Sequence, residues 1–127
     1  MDPLTNALNT IITNEGRHKK ECIICPASKL VGRVLRIIQS LGYIGEIEFI
    51  DDGRTGKFRV QLFGRINECR AVKPRYSIKI NSLEKWERRY LPARNLGSLI
   101  ISTPHGVMTH NQAQEKNLGG KMLAYVF

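Results

Sequence analysis

Leu99-Ile100-Ile101-Ser102-Thr103-Pro104-His105-Gly106-Val107-Met108-Thr109 decides the reading of this chain. Leu99 to Ile101 form an apolar run of strand length bound for the interior. Ser102 to Gly106 is turn chemistry, with Pro presetting φ and Gly permitting positive φ. Thr109 stands three residues before Gln112, a capping box ahead of the amphipathic stretch Ala113 to Leu118, so a helix N-terminus with free N–H groups is expected nearby. The stretch therefore predicts a buried strand that hands a hydroxyl-bearing loop to a helix start. Such a place suits phosphates and sugar hydroxyls.

Outward from that stretch, 127 residues suffice for one domain or two small ones with a core that needs no staples. Twenty Lys and Arg against eleven Asp and Glu give a formal charge of +9, which calls for a polyanionic partner, nucleic acid first and an acidic membrane second. No apolar run approaches a bilayer span. Met1-Asp2-Pro3-Leu4 lacks the basic flank and apolar stretch of a secretory signal, so a cytoplasmic location without a membrane partner is expected.

Cys22, Cys25 and Cys69 are an odd count, which argues for reduced thiols. Cys22-Ile23-Ile24-Cys25 has CxxC spacing, but a structural zinc needs four ligands. The further candidates, Cys69, His18, His105 and His110, hold no second close pair. Packed structural cysteines are expected, with no metal and no cofactor. A redox reading fails too, because the thioredoxin-type motif opens a helix whereas this one lies in the strand-like Glu21 to Cys25.

Asp2 predicts an N-cap with Pro3 at the first helical position, and Leu4, Ala7, Leu8, Ile11 and Ile12 recur at helical spacing until Gly16. After the basic turn Arg17 to Lys20 and a short strand, Ser28 caps a second helix. Its apolar face is Val31, Val34, Leu35, Ile38 and Leu41, with Gly42 at its end and Lys29, Arg33 and Arg36 on the remaining surface. From Tyr43 the period becomes two. Ile47 and Phe49 oppose Glu46 and Glu48, and Phe58, Val60 and Leu62 oppose Lys57, Arg59 and Gln61, across the turn Asp51 to Gly56. Glu46 and Glu48 are read as cross-strand partners of those bases.

Gly64 to Pro74 shows no period and reads as a basic linker. Tyr76, Ile78 and Ile80 then alternate. A short helix runs to Tyr90, halted before Pro92, with Trp86 as a packing residue. Gly119-Gly120 break the helix after the signature, and Met122 to Phe127 make a terminal strand.

The order of elements and the wording of the loops resemble one family nearly end to end: small-subunit ribosomal protein eight, called fifteen-a in eukaryotes. The residues that carry the resemblance are Asp2-Pro3-Leu4 with Ala7-Leu8, Pro26-Ala27-Ser28-Lys29, Gly42-Tyr43-Ile44, Lys73-Pro74-Arg75 and Ser102-Thr103-x-x-Gly106-Val107-Met108-Thr109. Gly119-Gly120 and Ala124 to Phe127 complete the pattern. Gly45 to Gly53 and Glu84-Lys85-Trp86-Glu87 before Leu91-Pro92 resemble the archaeal and eukaryotic branch, the archaeal members in particular.

The resemblance implies an α+β fold, an N-terminal α-β-α-β-β domain over residues 1–65 joined to a C-terminal, mainly β RNA-binding domain with short helices over 66–127. It implies a structural constituent of the small subunit that binds the central domain of its ribosomal RNA, helps assembly and sits among neighbouring small-subunit proteins. Carried over residue by residue, the RNA-binding positions are Ser102, Thr103, His105, Gly106, Val107, Met108 and Thr109, with Ser28, Lys29, Arg33, Lys73, Arg75, Gly119 and Gly120. Pro104 departs from the pattern, since the family usually has a second serine there. Any contact from that hydroxyl is absent or replaced, with His105 or His110 as candidates.

Residue chemistry agrees with that expectation. An RNA helix hides its major groove and offers a shallow minor groove lined by ribose hydroxyls, which small hydroxyl and backbone groups probe best, while Lys and Arg supply attraction to phosphate. An enzyme built on His105, His110, Thr109 or Cys25 is the first competitor, but no Ser/His/Asp ordering or nucleophile elbow occurs and no carboxylate in the sequence neighbourhood orients His105. A repressor that binds its own messenger through the same surface is the second. A protein-docking module with a merely solvated basic face is the third.

Overall fold

Asp2 accepts the backbone N–H of Leu4 at 3.2 Å with Pro3 behind it, and this starts α1 (Pro3–Gly16). The computed structural model describes residues 2–93 and 96–127; Met1, part of the N-terminal reading, lies outside them. Leu4, Ala7, Leu8 and Ile11 are buried on one stripe of α1, the spacing of a core-facing helix. The left-handed residue that turns the chain away is His18 at φ 58°, whereas Gly16 still belongs to the last turn.

β1 (Glu21–Ile24) sends Cys22 and Ile24 inward. Ser28 Oγ then accepts the N–H of Val31 at 3.2 Å and opens α2 (Lys29–Ser40), which buries Val31, Val34, Leu35 and Ile38. Leu41, expected on that face, is exposed because it caps the helix C-terminus, where the buried stripe has run out.

β2 (Ile44–Ile50) and β3 (Lys57–Leu62) join β1 in an antiparallel sheet of order β1-β3-β2, with Cys22 opposite Val60 and Glu48 opposite Arg59. Two details differ from the period-two reading. A register shift between Ile44 and Ile47 sets Glu46 out of line with the bases of β3, and its N–H donates to Gln61 Oε1 instead. Phe49 is 58% exposed, since its ring lies over Gly56 at the hairpin turn and meets Phe58 edge-on rather than entering the core. Glu48 does pair with Arg59, at 3.4 Å. Both ends are solvated, so the pair stabilises by at most about 1 kcal/mol.

The second half adds β4 (Cys69–Ala71), β5 (Ser77–Ile78), a 3-10 turn (Ile80–Ser82), α3 (Leu83–Tyr90), β6 (Ser98–Thr103), β7 (Gly106–Thr109), α4 (His110–Glu115) and β8 (Gly120–Val126). Its sheet has the order β4-β8-β6-β7, with β5 also on β8. β4 lies in the stretch read as a linker. Three residues are too few to show a period, and their place comes from pairing with β8. The chain divides into two compact units, Met1–Cys69 and Arg70–Phe127, and the division falls inside β4. Ile80 leaves the strand pattern because Ser82 turns back, its N–H and Oγ both donating to the Lys79 carbonyl.

Val72, Ile78, Leu83, Leu91, Leu99, Ile101 and Met122 form one core cluster of the second unit. Gly119-Gly120 do not end α4. Lys116 caps it and Asn117 takes the left-handed turn at φ 58°. The two glycines serve close backbone passage instead: a Cβ on Gly119 would stand 2.6 Å from the Ile78 carbonyl oxygen, and one on Gly120 would press on the Ser102 carbonyl. Helices and antiparallel sheets in this order make the α+β fold that was expected.

Candidate RNA interface

The deciding stretch folds as a β-hairpin, not as a strand followed by a five-residue loop. β6 and β7 pair antiparallel, Ile100 with Thr109, Ile101 with Met108, Ser102 with Val107 and Thr103 with Gly106. The connection shrinks to Pro104-His105. It closes because Gly106 adopts φ +115°, which a side chain would strain. Thr103 fastens the turn from inside, its hydroxyl donating to the Gly106 carbonyl at 2.8 Å and accepting the His105 N–H at 3.2 Å.

This geometry sorts the sequence-expected residues. Pro104, His105 and Gly106 are exposed at the tip, and no atom lies within 4 Å of where a Gly106 Cβ would be, so another backbone could approach closely there. Ser102 and Val107 are half-buried behind them, and among the described residues the Ser102 hydroxyl makes no hydrogen bond. Thr103, Met108 and Thr109 are buried. Thr109 and Gln112 form the expected capping box, Oγ1 accepting the Gln112 N–H at 3.2 Å and Gln112 Oε1 accepting the Thr109 N–H at 3.1 Å. The helix it starts begins at His110, three residues earlier than its apolar pattern indicates. Thr103 thus fastens the hairpin, Thr109 caps α4, and Ser102 is the hydroxyl presented.

His110 is no substitute for the missing serine. It is 2% exposed, its Nδ1 accepts the Leu99 N–H at 3.0 Å, and its Nε2 lies 3.2 Å from Glu87 Oε1. That second contact is not aligned as a hydrogen bond, and among the described residues Nε2 has no hydrogen-bond partner. Glu87 of α3 is an acidic neighbour that no sequence spacing could assign to it.

The basic candidates divide between the two units. On the first, Ser28 is consumed in capping α2, while Lys29 and Arg33 are exposed along it with Arg36. On the second, Lys73 and Arg75 are exposed just ahead of Tyr76. Gly119 and Gly120 are half-buried and crowded by neighbouring backbone.

Of the cysteines, Cys22 and Cys69 are buried, but Cys25 is exposed past the end of β1, contrary to the packed role expected for it. Burial, with help from the Glu15 and Glu21 carboxylates, pushes the Cys22 thiol up to about 11. Among the described residues no group of three or more His, Cys, Asp or Glu stands together as a metal site would require.

One feature was not legible as a unit. Trp86 packs against the core as expected, but it also stands in a row of half-buried rings, Tyr76, Trp86, Tyr90, Tyr125 and Phe127, with successive centroids 4.9, 6.3, 5.4 and 6.1 Å apart. Arg89 lies over three of them, 5.4 Å from the centroids of Tyr76 and Trp86 and 5.5 Å from that of Tyr90. Only the spacing of Trp86, Arg89 and Tyr90 on one helical face signals it in sequence.

The pattern of the family described as Ribosomal protein S8 matches residues 2–127, nearly the whole chain. The chain belongs to the Ribosomal protein S8 family. It is therefore a constituent of the small ribosomal subunit, a structural protein that binds ribosomal RNA among other ribosomal proteins. Members of the Ribosomal protein S8 family act by binding rather than by catalysis. No helix of the described residues is long and apolar enough to cross a membrane.

Proposed function

We propose that the chain is a primary binder of the central domain of small-subunit ribosomal RNA that helps this domain assemble in the cytoplasm, and that it belongs to the archaeal and eukaryotic branch of its family, the archaeal side in particular. The observation that carries this reading is the hairpin tip: an exposed Gly106 with open space around it, beside the unengaged hydroxyl of Ser102. A ribose-lined minor groove or a helical junction accepts such a small, rigid probe, whereas long side chains would keep the backbones apart.

In this reading residues 1–65 are an N-terminal α/β domain and 66–127 the RNA-binding domain. Ser102, His105 and Gly106 touch the RNA, Val107 supports them, and Thr103, Met108 and Thr109 hold the hairpin in shape. Lys29, Arg33, Lys73 and Arg75 attract phosphate. Ser28 contributes by starting α2, Gly119 by letting the backbone pass close to the Ile78 carbonyl and Gly120 by letting it pass close to that of Ser102. Binding of the chain's own messenger through the same surface is the second reading. It is favoured only by the general fact that one groove-probing surface serves any RNA that presents the same junction.

Footprinting on total small-subunit RNA tests the proposal. Protection confined to one central-domain junction, and needing several-fold more protein for Gly106→Ala and Ser102→Ala while the fold persists, is the expected result. Protection spread over the whole RNA would overturn it.

A further inference from the structure

We propose that the Arg89-capped aromatic row on the second unit is a second RNA contact, one that takes an unpaired nucleotide by stacking its base on the guanidinium. This rests on the reading of the chain as an RNA binder but not on the role given to the hairpin.

The electrostatics of α3 single out Arg89. The helix carries two carboxylates, Glu84 paired with Arg88 at 2.8 Å and Glu87 turned toward buried His110, its Oε1 3.2 Å from Nε2. Among the described residues no carboxylate pairs with Arg89. Its guanidinium is held by three rings at nearly equal distance, and the residue is exposed. A guanidinium loses less hydration than an ammonium when it stacks, and once laid on aromatic rings it has a second planar face to offer. Unpaired bases stack on such guanidinium planes and on aromatic rings, each stack adding affinity with little regard to sequence.

Charge selects the occupant. Lys85 is exposed on the same helix, and Lys79 and Arg75 are exposed on the segments that flank Tyr76 and lead into α3, so further cations lie close to the row along the chain. With a chain charge of +9, a phosphate-bearing strand fits this face better than a neutral apolar peptide. An acidic protein segment is the rival that the experiment must separate.

Trp86, the only tryptophan, lies under Arg89 and reports directly. The full-length protein is titrated with a short oligoadenylate and with an abasic ribose-phosphate strand of the same length, following Trp86 fluorescence. Saturable quenching by oligoadenylate, about tenfold weaker for the abasic strand, is the expected result, the scale of one missing base stack. Arg89→Gln should bind oligoadenylate about tenfold more weakly. Arg89→Lys should keep the charge but lose the preference for the strand with bases. Circular dichroism checks the fold of both exposed-site variants. The hairpin reading is scored on a central-domain RNA fragment and this one on oligoadenylate, so failure of the one is distinguishable from failure of the other. Oligoadenylate affinity unchanged in Arg89→Gln, no preference over the abasic strand, or equal binding of a glutamate-rich peptide of matched charge would each overturn the proposal.

Discussion

The Thr103 hydroxyl donates to the Gly106 carbonyl across the hairpin turn, 2.8 Å away, and so holds the tip in shape from the buried side. Thr103→Val keeps the volume and removes both this bond and the one accepted from His105. It should lower stability by about 1–2 kcal/mol and weaken cognate RNA through a loosened tip. Thr103→Ser should recover most of both in thermal melts and binding titrations. A valine variant as stable and as tight-binding as the parent would show the turn to be held by the backbone alone.

Ser102→Ala and Gly106→Ala should part company. Ser102→Ala should leave the melting temperature unchanged and cost cognate RNA affinity about 1 kcal/mol, the scale of one hydrogen bond. Gly106→Ala places a side chain at φ +115°, so it should lose both affinity and about 1 kcal/mol or more of stability. Parallel melts and filter binding with a central-domain fragment and an unrelated RNA of equal length distinguish the two.

Replacing Lys29 and Arg33, or Lys73 and Arg75, by Gln should weaken cognate and unrelated RNA together. The slope of log affinity against log salt should flatten by somewhat less than one unit for each phosphate that the variant no longer neutralises. Weakening confined to the cognate RNA would move these residues from phosphate attraction to recognition.

The thiols should differ sharply in reactivity. Cys25 should be alkylated by iodoacetamide in the folded protein near neutral pH, whereas Cys69, buried with its Sγ 3.6 Å from the Leu8 carbonyl, and Cys22, buried and held up to about 11, should react only on unfolding. Peptide mapping of protein labelled before and after denaturation reads this directly.

Asp52 Oδ1 accepts the backbone N–H groups of Arg54 and Gly56, each at 3.0 Å, and these bonds, Arg54 first, lower its carboxyl below the ordinary range. Its contribution to the loop between β2 and β3 is therefore present above its unfolded pKa and is lost as the pH falls through the lower folded value, below about pH 4. In an NMR titration the Arg54 and Gly56 amides should move together with Asp52 in that acid window. Asp52→Asn should abolish the shift. Amides that move at ordinary aspartate pKa would contradict the bonding.

Much of the chain was legible before any tertiary neighbour was known, because the information was local. Asp2 with Pro3, Ser28, and Thr109 with Gln112 each satisfy helix N–H groups within four residues, so their caps follow from sequence spacing alone. Hydrophobic periodicity likewise gave α1, α2 and the β2–β3 pair, and the residues of the family pattern gave the class of partner. Tertiary structure decided the rest wherever the determining atom lay far along the chain. β4 exists because β8 pairs with it, and Gly120 is glycine because the Ser102 carbonyl passes beside it. His110 is buried between elements far along the chain, its Nδ1 accepting the Leu99 N–H from 11 positions away and its Nε2 standing 3.2 Å from Glu87, 23 positions away. The hydrogen bonding of the Thr103 hydroxyl was decided in the same way. Sequence marked it as a polar group in a loop, but only the pairing of β6 with β7 brought the Gly106 carbonyl within hydrogen-bond reach of it.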